Sequence, residues 1–253
     1  MGNQKVLKLG VFDSGLGGIS VLNELTQSLS QIEFVYYGDL KNAPYGEKTS
    51  AEVFALTASA CEYLINKEVD AIVIACNTAT SVAIEKLRAR YSIPIFGMEP
   101  AIKPALLDHP LEMVAVMATS LTLKEDKFTN LKHRLNGHSR IKPVPCNGLA
   151  KLIDLGDREK IKAFLEPILD DLCRQNIQVV VLGCTHYVLI KELIYRLNPN
   201  IKIYDGNAGT ARHVANKLNL QFRQEAYTPK IEIYLNGATE EDYFVLRQYT
   251  GLP

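Results

Sequence analysis

The chain has no excess of either charge: 28 lysines and arginines stand against 28 aspartates and glutamates in 253 residues. No basic block runs beyond a few residues, as at Arg88 with Arg90 or Lys132 to Arg134, so a nucleic-acid partner is not expected. Those clusters read as solvated helix faces. No apolar run approaches the ~20 residues of a membrane span, and Met1 to Leu7 is too polar for a signal peptide. Val6 occupies the position where a myristoylation signal wants Ser or Thr. No membrane association is expected, and the cytoplasm is the default location. Five cysteines, odd in number and irregular in spacing, do not form a disulfide framework, and C-x-x-C is missing, which weakens zinc-ribbon and thioredoxin readings. Nor is there a low-complexity segment or a short-period repeat.

What is present is an approximate duplication. Asp70 to Thr80 reads D-A-I-V-I-A-C-N-T-A-T, and Gln178 to Tyr187 reads Q-V-V-V-L-G-C-T-H-Y. Each is a short apolar run, one cysteine, and then polar residues able to open a helix. A lone cysteine is most often a small buried hydrophobe. Two of them, each where a strand hands over to a helix, suggest two reactive groups placed to act together.

Apolar content of 47% is enough for one large or two small domains. Short continuous apolar runs alternate with stretches of helical periodicity along most of the chain. Strands are expected at Val6–Phe12, Phe34–Gly38, Ala71–Ala75, Ile93–Gly97, Met113–Ala118, Ile141–Pro145, Val179–Leu182, Ile201–Tyr204 and Ile231–Leu235. Helices are expected between them, among them Leu123–Leu135, one running to Leu197 after the Val179 strand, and a terminal helix Thr239–Tyr249. Two prolines put the Ile141 strand at or near a sheet edge. Such alternation is the mark of parallel α/β folding with helices on both faces. More strands than a single eight-stranded barrel uses, joined by uneven loops, favour open sheets. Two similar α/β units are expected: residues 1–96 plus 208–253, and residues 97–207.

Ligands of open α/β sheets bind beyond the carboxyl ends of the strands. Asp13-Ser14, Cys76-Asn77-Thr78 and Cys184-Thr185-His186 all fall there, and Thr119 and Thr122 follow a fourth strand. Any one of these could be a helix cap and nothing more; four convergent cases argue for a site. Exposed N–H groups at the helix starts suit a carboxylate or phosphate. A helix start also eases thiolate formation, so both Cys76 and Cys184 are expected to ionise more readily than a free thiol. A thiol and a thiolate on opposite faces of one carbon could invert a stereocentre with no cofactor, with Asp13 and His186 orienting or relaying protons. Competing signals are weak. G-x-G-x-x-G fails because Ser20 stands at the third glycine, and Gly46-Glu47-Lys48-Thr49 lacks the P-loop glycine-lysine step. Metal binding by Cys76, Cys184, His186 and Asp13 lacks the usual adjacent ligand pairs, so no metal is expected. Cys61 and Cys173 sit at core spacing, and Cys146 ends a strand.

The segments Gly10–Gly18 (G-V-F-D-S-G-L-G-G), Tyr36–Asp39, Ala43–Lys48 (A-P-Y-G-E-K), Ala75–Thr80 and Leu182–Tyr187 together closely resemble the glutamate racemases, within the cofactor-independent aspartate/glutamate racemase superfamily. The match covers nearly the whole chain, in order. The resemblance implies two pseudo-symmetric α/β domains with the site between them, commonly as a homodimer. It implies interconversion of L- and D-glutamate, supplying D-glutamate for peptidoglycan and so for cell-wall biogenesis and cell shape. Cys76 and Cys184 become the opposed acid and base, assisted by Asp13 and His186. Substrate contacts map onto Asp13, Ser14, Tyr45, Gly46, Asn77, Thr78, Thr185 and His186, with Thr119 and Thr122 added. No cofactor is implied. Many members carry glutamate where this chain has Asp154, and the shorter arm leaves Asp154 outside the expected catalytic set. Members that need a cell-wall precursor as activator have an extension ahead of the Asp-Ser motif; with Asp13 close to Met1, no activator is expected. Racemisation of aspartate or another amino acid, a non-catalytic amino-acid-binding protein, and a redox role for the cysteine pair are the rival readings.

Overall fold

Strand β1 (Leu7–Asp13) leads through a glycine-rich loop into helix α1 (Ile19–Ser28), and β2 (Ile32–Gly38) follows. Two 3-10 turns, Leu40–Asn42 and Tyr45–Glu47, then bring the chain to α2 (Ser50–Asn66). A capping box fixes that helix start: the Thr49 hydroxyl accepts the Glu52 N–H and the Glu52 carboxylate accepts the Thr49 N–H at 2.9 Å. Next come β3 (Ala71–Ile74), α3 (Asn77–Arg90), β4 (Ile95–Gly97) and α4 (Ile102–Asp108). The chain continues with β5 (Val114–Ala118), α5 (Ser120–Lys124), α6 (Asp126–Arg134) and β6 (Ile141–Pro145). After α7 (Leu149–Asp154) and α8 (Arg158–Arg174) stand β7 (Val179–Leu182), α9 (Thr185–Val188) and α10 (Lys191–Leu197). The last elements are β8 (Lys202–Tyr204), α11 (Asn207–Leu218) and β9 (Ile231–Leu235). The computed structural model describes residues 6–135, 139–223, 228–240 and 242.

Among the described residues the strands form two open parallel sheets, β4-β3-β1-β2-β9 and β6-β5-β7-β8. Period-two alternation sends successive strand residues to opposite faces. Leu9, Val11, Ala71 and Val73 pack with α1 and α11, while Ile72 and Ile74 pack with α2 and α3. In the second sheet Ala115, Met117, Val180 and Leu182 face α7, α8 and α10, and Val114, Val116, Val179 and Val181 face α4 and α6. Burial on both faces is why these strands read as unbroken apolar runs rather than alternating ones. The proline-bearing β6 lies at a sheet edge, as its prolines require.

Two helices differ from the expectation. The Leu123–Leu135 segment starts earlier, at Ser120, and breaks at Glu125, whose backbone is extended (φ −66°, ψ 145°). The Thr119 hydroxyl caps α5 by accepting the Thr122 N–H, and the Glu125 carboxylate is engaged outside the helix by the Ser50 hydroxyl at 2.7 Å. The helix running to Leu197 is likewise interrupted, at Leu189 and Ile190, between α9 and α10. Most of the expected Thr239–Tyr249 helix lies outside the described residues. No helix among the described residues is long and apolar enough to cross a membrane.

Register sets the strand ends level. Asp13 pairs with Gly38 and Phe12 with Ile74 in the first sheet, and Met117 pairs with Leu182 in the second. Asp13, Asp39 and Cys76 therefore emerge at one edge, and Thr119 and Cys184 at the facing one.

Candidate active site

Asp13 is fully buried where β1 ends. Its Oδ1 accepts the Gly15 N–H at 3.0 Å and its Oδ2 accepts the Thr185 hydroxyl at 3.1 Å. Burial pushes the carboxyl up to about 6, against the opposing pull of the His186 charge and of the hydrogen bonds from Gly15 and Thr185. Beside it, Ser14 Oγ lies 3.4 Å from Cys76 Sγ.

Cys76 is the N-cap residue of α3, and its sulfur accepts the Ala79 N–H at 3.4 Å. The expected easing of ionisation is present in that contact and is outweighed. Burial, with the nearby Asp13 charge, pushes the Cys76 thiol up to about 12, while Ser14 and the Ala79 N–H oppose the shift. Cys184 lies close enough that its charge adds to the rise. Cys184 itself is partly exposed and makes no side-chain cap to the four-residue α9. Its Sγ is 3.8 Å from Nδ1 of His186.

His186 is buried and has two claims on Nε2. The Gly17 N–H points at it from 3.3 Å, and Asp154 Oδ1 stands 3.0 Å away. An Nε2 that accepts from Gly17 cannot also carry the proton that pairs with Asp154, so the neutral Nδ1–H ring uses the first contact and the imidazolium uses the second. Burial alone would lower the pKa of the ring. The Asp154 charge 3.0 Å away, joined by Cys184, overcomes burial and holds it well above its ordinary value. The loop reaches this close because residue 17 is glycine: a Cβ there would sit 2.5 Å from His186 Nδ1 and 2.6 Å from its backbone nitrogen.

Across the same gap, Thr78 Oγ1 lies 3.0 Å from Thr119 Oγ1 and 3.1 Å from Thr122 Oγ1, and the last two are 2.9 Å apart. Asn77, at the start of α3, holds a buried Nδ2 with no hydrogen-bond partner among the described residues. Tyr45 is buried and donates to Asp39, and a Cβ on its neighbour Gly46 would come within 2.6 Å of Thr119 Cγ2. Gathered here are two thiols, the Asp13 and Asp154 carboxylates, an imidazole, the hydroxyls of Ser14, Thr78, Thr119, Thr122 and Thr185, and the Asn77 amide.

The family model for Asp/Glu/hydantoin racemases matches residues 20–214. The chain belongs to that family. Among its relatives, the glutamate racemase of Leptospira interrogans is 52% identical over 214 residues, 85% of this chain and 84% of that protein. The glutamate racemase of Clostridium kluyveri is 45% identical over 247 residues, 95% of each chain. The crystal structure of Escherichia coli glutamate racemase, in complex with L-glutamate and the activator UDP-MurNAc-Ala, superposes with a TM-score of 0.83 at 27% identity, covering 96% of this chain and 95% of that one.

Every residue singled out at a strand end lies at this gap. Asp154 lies there too: from the last turn of α7 its Oδ1 stands 3.0 Å from His186 Nε2. Asp39, outside the expected site, follows β2 at the same edge as Asp13, where the strand-end rule points.

Proposed function

We propose that this chain racemises glutamate without a cofactor, using Cys76 and Cys184 as the two bases. The observation that carries the reading is the Thr185–Asp13 hydrogen bond, which draws the Cys76 and Cys184 strand ends to one gap. The extensive identity to glutamate racemases supports the choice of substrate.

In the proposed reaction one sulfur, as thiolate, takes the proton from the substrate Cα. The electron pair delocalises into the α-carboxylate, and the thiol on the opposite face returns a proton to Cα. The product is the mirror isomer, and the two sulfurs have exchanged protonation states. A protonated His186 stands 3.8 Å from the Cys184 sulfur and can exchange a proton with it. Cys76, with its raised pKa, starts as the thiol and proton donor. Asp13 and Ser14 orient Cys76, and Asp13 relays its proton. The orphaned Asn77 amide, the Thr78, Thr119 and Thr122 hydroxyls, and the Tyr45-Gly46 and Thr185-His186 segments supply donors for the substrate's two carboxylates.

On this reading D-glutamate goes to peptidoglycan synthesis, and hence to cell-wall biogenesis and cell shape, in the cytoplasm. The working form is a homodimer whose subunits divide into residues 1–96 plus 208–253 and residues 97–207. Circular dichroism with L-glutamate, D-glutamate and both aspartate isomers tests the substrate. Glutamate signals from either isomer should decay to zero while aspartate is unchanged. Turnover of aspartate alone would transfer the reading to its rival.

A further inference from the structure

We infer that Asn236, far from the thiols in sequence, is a positioning residue for the loop that carries Tyr45 and Gly46. The inference rests on the proposed site and extends it to the turn after β9.

Asp39 is buried, 3% exposed, and is the acceptor around which the loop after β2 is built. Asn42 Nδ2 donates to both of its oxygens, at 2.9 and 3.0 Å, and the Tyr45 hydroxyl donates to Oδ2 at 2.8 Å. These donors come from the loop itself. The remaining one does not: Asn236 Nδ2 donates to Oδ1 at 2.7 Å from 197 positions away. The backbone repeats the grip, with Lys41 N–H donating to the Asn236 carbonyl and Asn236 N–H to the Gly38 carbonyl, each at 2.8 Å. Asp39 N–H in turn donates to the Asp13 carbonyl at 3.0 Å, so the clamp is tied to the catalytic strand end.

The clamp matters because of what lies at the far end of the loop. Gly46 packs against Thr119 with no room for a methyl group, and Thr119 hydrogen-bonds Thr78 and Thr122. A shift of the loop therefore moves the hydroxyl cluster that is to receive a substrate carboxylate. Removing a donor from a buried carboxylate leaves that charge under-solvated, and the loop is the part free to move. Asn236 touches neither substrate nor sulfur in this scheme, so its loss should be felt in substrate affinity before chemistry.

The geometry also offers an exchange. In the Asp39→Asn/Asn236→Asp pair the amide oxygen, at the Oδ2 position, keeps the Tyr45 donor and the 3.0 Å Asn42 donor while the amide nitrogen donates to residue 236; only the 2.9 Å Asn42 contact is lost, donor against donor. Donor and acceptor trade places and the charge count is unchanged.

The test measures KM and kcat for both glutamate isomers, and amide hydrogen exchange of the 39–47 peptide in the free protein. It compares wild type, Asn236→Asp, Asn236→Ala and the Asp39→Asn/Asn236→Asp exchange. Asn236→Asp should raise KM about tenfold with kcat changed less than about threefold, and Asn236→Ala should do the same more mildly. Both should speed exchange of the 39–47 peptide, and the double exchange should recover KM and protection together, in part because one Asn42 contact is lost. Unchanged KM and protection in Asn236→Ala, or no recovery in the double variant, overturns the inference. Should Asn236→Asp not fold, Asn236→Ala alone decides. A wild-type protein inert toward glutamate would instead refute the proposed function, and the exchange data would still decide for or against the clamp.

Discussion

The Thr185 hydroxyl donates to the Asp13 carboxylate across 3.1 Å, joining two strand ends 172 positions apart in the chain. It makes one acid–base assembly out of residues from two sheets. Asp13 sits there in full burial, where charge is costly.

That cost should be visible in stability. The Asp13 carboxyl is raised from 3.8 to about 6 in the folded protein, so between those values the folded state binds more proton than the unfolded one. Lowering the pH through 6 toward 3.8 should therefore stabilise the fold through this group, and raising it should remove on the order of 3 kcal/mol. Asp13→Asn should abolish this component while cutting kcat. Urea unfolding at pH 5 and pH 8 for both proteins measures it; parallel pH dependences in the two would contradict the assignment.

Asp154 is expected to set the charge on His186. Asp154→Asn keeps the shape and removes the negative partner, so the imidazole pKa should fall. In the wild type the raised His186 pKa contributes stability that is complete below about 6.5 and is lost as pH rises through the folded-state value. The variant should lack that contribution, and the alkaline limb of its kcat profile should move to lower pH, with kcat down on the order of tenfold. NMR titration of the His186 ring reports the shift directly.

Two glycines offer an opposed pair of outcomes. At Gly17 a methyl group meets the ring and backbone of His186, so Gly17→Ala should cost about 1–3 kcal/mol and most of the activity. Gly209, inside α11, has nothing within 4 Å of an added Cβ. There, Gly→Ala should stabilise by about 0.5–1 kcal/mol through the unfolded chain and the helix preference, with activity unchanged. Thermal melts of both proteins check the pair.

Much of this arrangement was legible in the residues. Ala71–Ile74 and Val179–Leu182 announce themselves as strands because both of their faces are buried. The prolines of β6 mark an edge, and strand-end logic alone picks out Asp13, Cys76, Thr119 and Cys184. What escaped depends on distances through space. Glu125 stands extended inside a continuous helical pattern, with its carboxylate accepting the Ser50 hydroxyl from the other sheet's α2. That Asp154 stands 3.0 Å from His186 depends on where α7 ends, which arm length alone does not state. The high pKa of Cys76 follows from burial, which no local motif states: a helix start predicts the sign of one contribution and cannot weigh it against desolvation.

The central claim is that two thiols handle the Cα proton from opposite faces. It is tested most directly by following glutamate in deuterated water with wild type, Cys76→Ala and Cys184→Ala, reading Cα deuterium by mass spectrometry and configuration by chiral chromatography. The account predicts that every product molecule formed by the wild type at low conversion carries deuterium at Cα, and that neither variant racemises. Product that retains the original Cα hydrogen, or full racemisation by either variant, would contradict it.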